Sequence, residues 1–185
     1  MSNTDDKKVA ILVDSFFEQA EFEEPIRRLE NEGIQVDVIS GDEMKLQGMQ
    51  HTAMGDKFTA DSLIENVSPE DYDALILPGG VVNSDKLRMN PKARAWVKNF
   101  FSNGKTVAAI CHAPWLLVSA GVIGGRKMTS YETLQDDIRN AGGQWTDKSV
   151  VVDQNLITSR TPDDLDDFNE AIIESLSKNP ILLTA

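Results

Sequence analysis

Two adjacent side chains, Cys111 and His112, are the residues of this chain best equipped for chemistry. They lie in Thr106-Val-Ala-Ala-Ile-Cys-His-Ala-Pro-Trp115, and Cys111 is the only cysteine among 185 residues. The apolar run Val107 to Ile110 predicts a buried strand, and Ala113 to Ala120 predicts a helix with Pro114 in its first turn and Gly121 as its stop. Cys111 then stands at a sharp strand-to-helix turn, facing unpaired N–H groups and the positive end of a helix dipole. Both favour thiolate over thiol. A lone cysteine is more often an inert small hydrophobe; the turn position, the following histidine and an upstream Pro78-Gly79-Gly80 argue for a reactive one.

A cysteine hydrolase needs a thiolate, a proton shuttle and donors for an oxyanion. Cys111 supplies the first, and His112 is the candidate shuttle. Gly79 and Gly80 can bring bare backbone N–H groups to the crevice, although a Gly pair can equally be a tight turn. Glu18 and Glu21 fall at the first strand–helix junction, where a protonated glutamic acid could donate to a thiolate. Asp85, just after the Gly pair, is a candidate orienting acid for His112. These roles compete for one crevice.

The elements that must position these groups alternate. Strands are predicted at Val9 to Val13, Gln35 to Ser40, Asp73 to Leu77 and Val107 to Ile110. Helices are predicted at Phe16 to Glu32, Pro91 to Phe101 and Ala113 to Ala120. Residues 41–60 carry Gly41, Gly48 and Gly55 among polar residues and read as a loop or short hairpin excursion. Leu63 to Val67 reads as a helical turn. Lys127 to Tyr131 reads as a short strand, Glu132 to Asn140 as a helix, and Val150 to Ile157 as a hairpin turning at Asp153-Gln-Asn155. Thr161-Pro-Asp-Asp164 reads as a threonine-capped helix start, its helix running to about Ser177. The alternation implies an α/β layered domain with a mostly parallel sheet, whose strand ends converge on one ligand crevice. One domain over residues 1–185 is expected, with a polar leader at 1–7 and a tail at 179–185.

Composition excludes several function classes. Eighteen Lys and Arg stand against 30 Asp and Glu, a net charge of −12. That argues against a nucleic-acid or anionic-membrane surface. One cysteine cannot form an internal disulfide, and no signal-peptide pattern or membrane-length apolar run is present, so a cytoplasmic location is expected. His51 and His112 are the only histidines; no multi-ligand zinc site is available, and no metal or cofactor is expected. His51 reads as a surface residue. Pro78-Gly79-Gly80 is neither a Walker loop nor a dinucleotide fingerprint, the aspartates from Asp163 to Asp167 lack the spacing of a calcium loop, and Trp96, Trp115 and Trp145 form no stacking platform.

Five segments in register along nearly the whole chain resemble the PfpI branch of the DJ-one/ThiJ/PfpI superfamily. They are Phe17-Glu-Gln-Ala-Glu-Phe-Glu-Glu-Pro25, Tyr72-Asp-Ala-Leu-Ile-Leu-Pro-Gly-Gly80, Val107-Ala-Ala-Ile-Cys-His-Ala-Pro114, Thr129-Ser-Tyr131 with Asp136-Asp137 and Asn140-Ala-Gly142, and Val150-Val-Val-Asp153 leading to Ser159-Arg160. The resemblance implies a flavodoxin-like layered α/β sandwich, like that of class I glutamine amidotransferases. An amidotransferase itself is disfavoured, because no histidine follows His112. By resemblance Cys111 is the reactive cysteine at an elbow, Glu21 (rather than Glu18) bonds the thiolate, and Tyr131 lies near the site. His112 would pair with an acid from a neighbouring subunit, best matched by Asp85, although the segment from Gly80 to Asp85 is one residue longer than the family pattern. A homo-oligomer, dimer or hexamer, with the site near a subunit interface is therefore expected. The implied activity is deglycase or glyoxalase action on methylglyoxal or glyoxal, taking small carbonyl compounds or glycated protein side chains. The alternatives are an intracellular cysteine peptidase or amidase, and a redox sensor or chaperone working through Cys111 oxidation.

Overall fold

The computed structural model describes residues 6–177. The chain runs β1 (Lys8–Val13), β2 (Phe17–Glu18), α1 (Gln19–Asn31), β3 (Gln35–Ser40), β4 (Lys45–Gln50), β5 (Ala53–Thr59), β6 (Ser62–Leu63), β7 (Ala74–Leu77), α2 (Val81–Met89) and α3 (Pro91–Ser102). It continues through β8 (Thr106–Ile110), α4 (Pro114–Ala120), β9 (Lys127–Met128), α5 (Gln135–Asn140), β10 (Gln144–Trp145), β11 (Val150–Asp153), β12 (Leu156–Ser159) and α6 (Leu165–Ser177). A seven-stranded sheet in the order β11-β12-β8-β7-β1-β3-β6 forms the centre. Its pairings are parallel except at the β11–β12 hairpin.

Alternation along each strand explains the layers. Ala10, Leu12, Leu75, Leu77, Val107 and Ala109 pack on one face with Val97 and Phe100 of α3 and Leu116 and Leu117 of α4. Val9, Ile11, Ala74, Ile76, Ala108 and Ile110 pack on the other with Phe22 and Leu29 of α1 and Phe168 and Ile172 of α6. A strand covered on both sides must be apolar throughout, which is why β1, β7 and β8 read as unbroken hydrophobic runs. The fold is therefore the layered α/β domain with a mostly parallel sheet implied by the alternation, and the flavodoxin-like sandwich implied by the resemblance. It delivers the residues following β1, β7, β8 and β12 to one edge of the sheet.

Several local expectations need correction. The first helix starts at Gln19 rather than Phe16, because Phe17 and Glu18 pair with Gly48 and Met49 of β4. Residues 41–60 contain a full hairpin, β4 with β5, clamped to α1 by Gln19: its Nε2 donates to Asp56 at 2.8 Å and its Oε1 accepts from Asp56 N–H at 2.8 Å. Gly48 and Gly55 leave room for that side chain, whose Oε1 would lie 3.2 Å and 2.2 Å from their added Cβ atoms. The expected helical turn at Leu63 is instead the end of β6, paired with β3. Only Lys127–Met128 of the next expected strand pairs, with β10. Thr161 opens a short 3-10 turn without a side-chain cap, and α6 begins at Leu165. The leader up to residue 5 and the tail 179–185 lie outside the described residues.

Candidate active site

Cys111 directly follows β8 in a left-handed conformation, φ 61°. For a side chain other than glycine this costs on the order of 1–2 kcal/mol, so the surroundings must impose it. They do so from both sides. The Cys111 N–H continues the strand ladder to Ser159 O at 3.2 Å, and its carbonyl accepts from Tyr131 N–H at 2.9 Å. The residue is 8 % exposed. The strand-to-helix elbow is as expected, but the open, low-pKa sulfur at a helix mouth is not what the fold provides: burial and the neighbouring Glu21 carboxylate push the thiol up.

The forces pulling the other way are local hydrogen bonds. The backbone N–H groups of Gly80 and His112 both favour the charged sulfur. His112 Nδ1 lies 3.1 Å from Sγ. The imidazole is buried, which lowers its pKa, so near neutral pH it is uncharged and able to exchange a proton with sulfur. It is held between rings, stacked on Tyr131 at 4.7 Å between centroids and edge-on to Trp115 at 5.3 Å. Adjacent residues usually diverge; the elbow's left-handed backbone is what lets Cys111 and His112 meet.

Glu21 is wholly buried in the first turn of α1. Its Oε2 accepts from Gly79 N–H at 2.8 Å, and its Oε1 meets no N–H or O–H donor among the described residues, leaving the carboxyl to interact with the Cys111 sulfur. Burial, chiefly, raises its pKa to about 8, against the Gly79 bond, with the Glu18 charge adding to the rise. Near pH 7 the carboxyl is thus mainly protonated. A neutral Glu21 no longer repels a thiolate and can donate to it, so sulfur and carboxyl titrate as a pair sharing one negative charge.

Gly79 and Gly80 are fixed by contact rather than by turn preference alone. A Cβ on Gly79 would sit 2.6 Å from both Cys111 Cβ and Glu21 Oε2. Gly80 has φ +88°, and its Cβ would lie 2.6 Å from Phe16 O. The other candidates fall elsewhere. Glu18 turns its carboxylate to His51 N–H at 3.0 Å, at the exposed β4–β5 turn, and acts on Glu21 only through its charge. Asp85 is exposed on α2 and lines a cavity of about 650 Å3 with Asp14, Asp42, Glu65 and Lys86. Within one chain it does not bond His112; among the described residues no hydrogen-bond partner meets the His112 imidazole other than the sulfur. Tyr131 also walls a cavity of about 310 Å3 with Ser130, Asp147 and Arg160.

Two buried polar residues at this sheet edge escape a reading of sequence. Asn83, on the concealed face of α2, binds Pro78 O, Gly79 O and Asp14 N–H. Asp14, directly after β1, has a buried carboxyl. Neither belongs to a motif; the only available signal was position after an apolar strand and after a Gly pair.

Comparison with known proteins identifies the family. The DJ-1/PfpI family model matches residues 7–175. A deglycase of Thermococcus kodakarensis is 44 % identical over 158 residues, 85 % of this chain and 92 % of that protein. A deglycase of Pyrococcus horikoshii is 43 % identical over the same shares. General stress protein 18 of Bacillus subtilis is 40 % identical over 93 % of this chain and 99 % of its own. Among solved structures, Drosophila melanogaster DJ-1beta superposes with a TM-score of 0.85 at 28 % identity, covering 94 % of this chain and 91 % of that one. The family match, the relatives above 40 % identity and the elbow cysteine converge: this chain belongs to the DJ-1/PfpI family.

Proposed function

We propose that this chain is a cysteine-dependent enzyme of the deglycase or glyoxalase type, acting on methylglyoxal or glyoxal and on the adducts they form with protein side chains. One observation carries the reading: a single sulfur at a strained elbow is met together by Glu21, His112 Nδ1 and the N–H groups of Gly80 and His112. Two relatives above 40 % identity carry the name deglycase. Methylglyoxal and its early adducts share an electrophilic carbon, and attack by thiolate suits this arrangement. The C–S bond forms, the carbonyl π pair moves to oxygen, and that oxygen takes the proton held by the Glu21 carboxyl. In this reading the N–H groups that hold the thiolate also stabilise the neighbouring oxyanion. On the resulting hemithioacetal His112 carries a proton from the sulfur-bearing carbon to the neighbouring carbonyl carbon, giving a thioester; water, losing a proton to the imidazole, attacks that thioester, and the C–S bond breaks with its electron pair returning to sulfur. In an adduct the amine leaves with the C–N electron pair and takes its proton from His112.

The neighbouring subunit's acid enters as part of the same proposal. Asp85 shares α2 with Val81, Val82 and Met89, which are 52 %, 48 % and 72 % exposed. Apolar side chains left open around a carboxylate support a subunit contact through this helix. In that arrangement Asp85 of one copy orients His112 of the next.

Cys111→Ala is expected to abolish conversion of methylglyoxal and release of amine from its adducts, with the circular dichroism of the fold unchanged. Asp85→Asn should lower turnover, and mixing the two variants should restore part of it if the acid is supplied across an interface. Unaltered turnover in Cys111→Ala, or cleavage of peptide amides in preference to methylglyoxal, would overturn the assignment.

A further inference from the structure

Asn83 is wholly buried in α2 and touches neither the sulfur nor the Glu21 carboxyl, yet its amide is spent on the turn that serves both. Its Nδ2 donates to Pro78 O at 2.9 Å and to Gly79 O at 2.8 Å, while its Oδ1 accepts from Asp14 N–H at 2.7 Å. Those two carbonyls have a particular meaning. In a trans peptide the C=O and the following N–H lie in one plane and point in opposite directions. The Pro78 carbonyl shares its plane with the Gly79 N–H, which donates to Glu21. The Gly79 carbonyl shares its plane with the Gly80 N–H, which favours the charged Cys111 sulfur. One side-chain amide thus grips the back of two successive peptide planes whose fronts face the reacting pair. Successive glycines are the residues whose planes turn over most easily, so a clamp has work to do here.

We propose that Asn83 is a positioning residue of this site: by holding the Pro78 and Gly79 carbonyls it aims the Gly79 and Gly80 N–H groups at Glu21 and Cys111 and so sets the reactivity of the sulfur. The Oδ1 bond to Asp14 N–H anchors the clamp to the end of β1, which keeps the turn in register with the sheet. The proposal rests on the reading of Cys111 as the reactive group and adds the element that tunes it.

The test is the pH profile of Cys111 alkylation by iodoacetamide in the full chain, which has one thiol to follow. In Asn83→Ala and Asn83→Asp the Pro78 carbonyl loses the Asn83 donor and the Gly79 carbonyl keeps only the long Glu18 N–H contact at 3.4 Å, so the two N–H groups are less firmly aimed, and in Asn83→Asp a carboxylate oxygen would oppose the two carbonyls. The sulfur–carboxyl pair then loses donors to its charge and releases its proton at higher pH. A midpoint raised by about one pH unit, with alkylation at neutral pH about tenfold slower, is expected. Ser84→Ala, a buried neighbour on the same helix whose Oγ has no hydrogen-bond partner among the described residues, should leave the profile where it was; this separates aim from general loosening of α2. A folded Asn83 variant with an unshifted midpoint overturns the proposal while leaving Cys111 in place. A Cys111 that resists alkylation at every pH in the unaltered chain sinks the reading beneath it. If neither Asn83 variant folds, hydrogen exchange in the unaltered chain decides: the Asn83 side-chain amide must be protected as long as the Gly79 and Gly80 N–H groups, and rapid exchange of that amide beside protected glycines would refute the clamp.

Discussion

Glu21 and Asp14 are two carboxyls buried at the same edge of the sheet, 0 % and 2 % exposed, and burial is the largest cause of the upward shift in both. Glu21 rises to about 8 and Asp14 to about 7. Their neighbours differ in kind. Glu21 holds its proton against a sulfur, with a backbone N–H on its other oxygen. Asp14 holds its own against Asp42, with Lys86 opposing and Glu43 reinforcing the shift. A raised carboxyl pKa therefore does not mark a site by itself. What marks it is the group across the hydrogen bond, and only Glu21 faces one that can attack carbon.

Removing each acid in turn gives the largest expected contrast. Glu21→Gln keeps the shape but has no proton to give the oxyanion, and turnover of methylglyoxal should fall by about 100-fold or more. Asp14→Asn should leave turnover within about twofold, because its side chain shares no partner with the sulfur. Equal losses in both variants would end the distinction drawn above.

The same pair predicts unequal contributions to chemistry but like-signed contributions to stability. Each folded-state pKa lies above the unfolded value, 4.5 for Glu21 and 3.8 for Asp14. Between the two values the native state binds a proton that the unfolded chain has lost, so stability falls as pH rises through that window. Urea midpoints of Asp14→Asn should accordingly decline less steeply than those of the unaltered chain from pH 4 to 7, and those of Glu21→Gln less steeply up to pH 8. Curves parallel to the unaltered chain would mean that neither group is buried as described.

How much of this was legible in the sequence follows the same physics. The strands β1, β7 and β8 announce themselves because both their faces are covered, and Cys111, His112 and Gly79-Gly80 stand where those runs end. Helix α2 was illegible because its pattern is inverted: Asn83 and Ser84 are buried while Val81, Val82 and Met89 are exposed. Hydrophobic periodicity has nothing to report when the concealed face is polar and the apolar face is left open. Gly48 and Gly55 misled in another way, since they are there for the Gln19 side chain and sit within strands. Glu18 and Glu21 are three residues apart and of one chemistry; only the pairing of Phe17 and Glu18 with β4 sends the first outward to His51 and leaves the second inside.

The finest version of the contrast lies in two glycines. Gly79 borders Glu21 and Gly41 borders Asp14, and a Cβ on either would stand 2.6 Å from a carboxylate oxygen. At Gly79 the new methyl also meets Cys111 Cβ at 2.6 Å and Ile110 O at 3.0 Å, atoms held by the strand and unable to retreat. Gly79→Ala should cost about 1–3 kcal/mol of stability through overpacking and should slow alkylation of Cys111 by displacing it. At Gly41 all three nearest atoms belong to the Asp14 side chain, which can swing toward the adjoining cavity. Gly41→Ala should therefore cost under about 1 kcal/mol and leave alkylation unchanged. Thermal unfolding read beside alkylation rate checks both halves. If Gly41→Ala slowed the thiol as much as Gly79→Ala, the two carboxyl sites would be one coupled unit, joined through the Asn83 bond to Asp14 N–H, and the separation of their roles would fail.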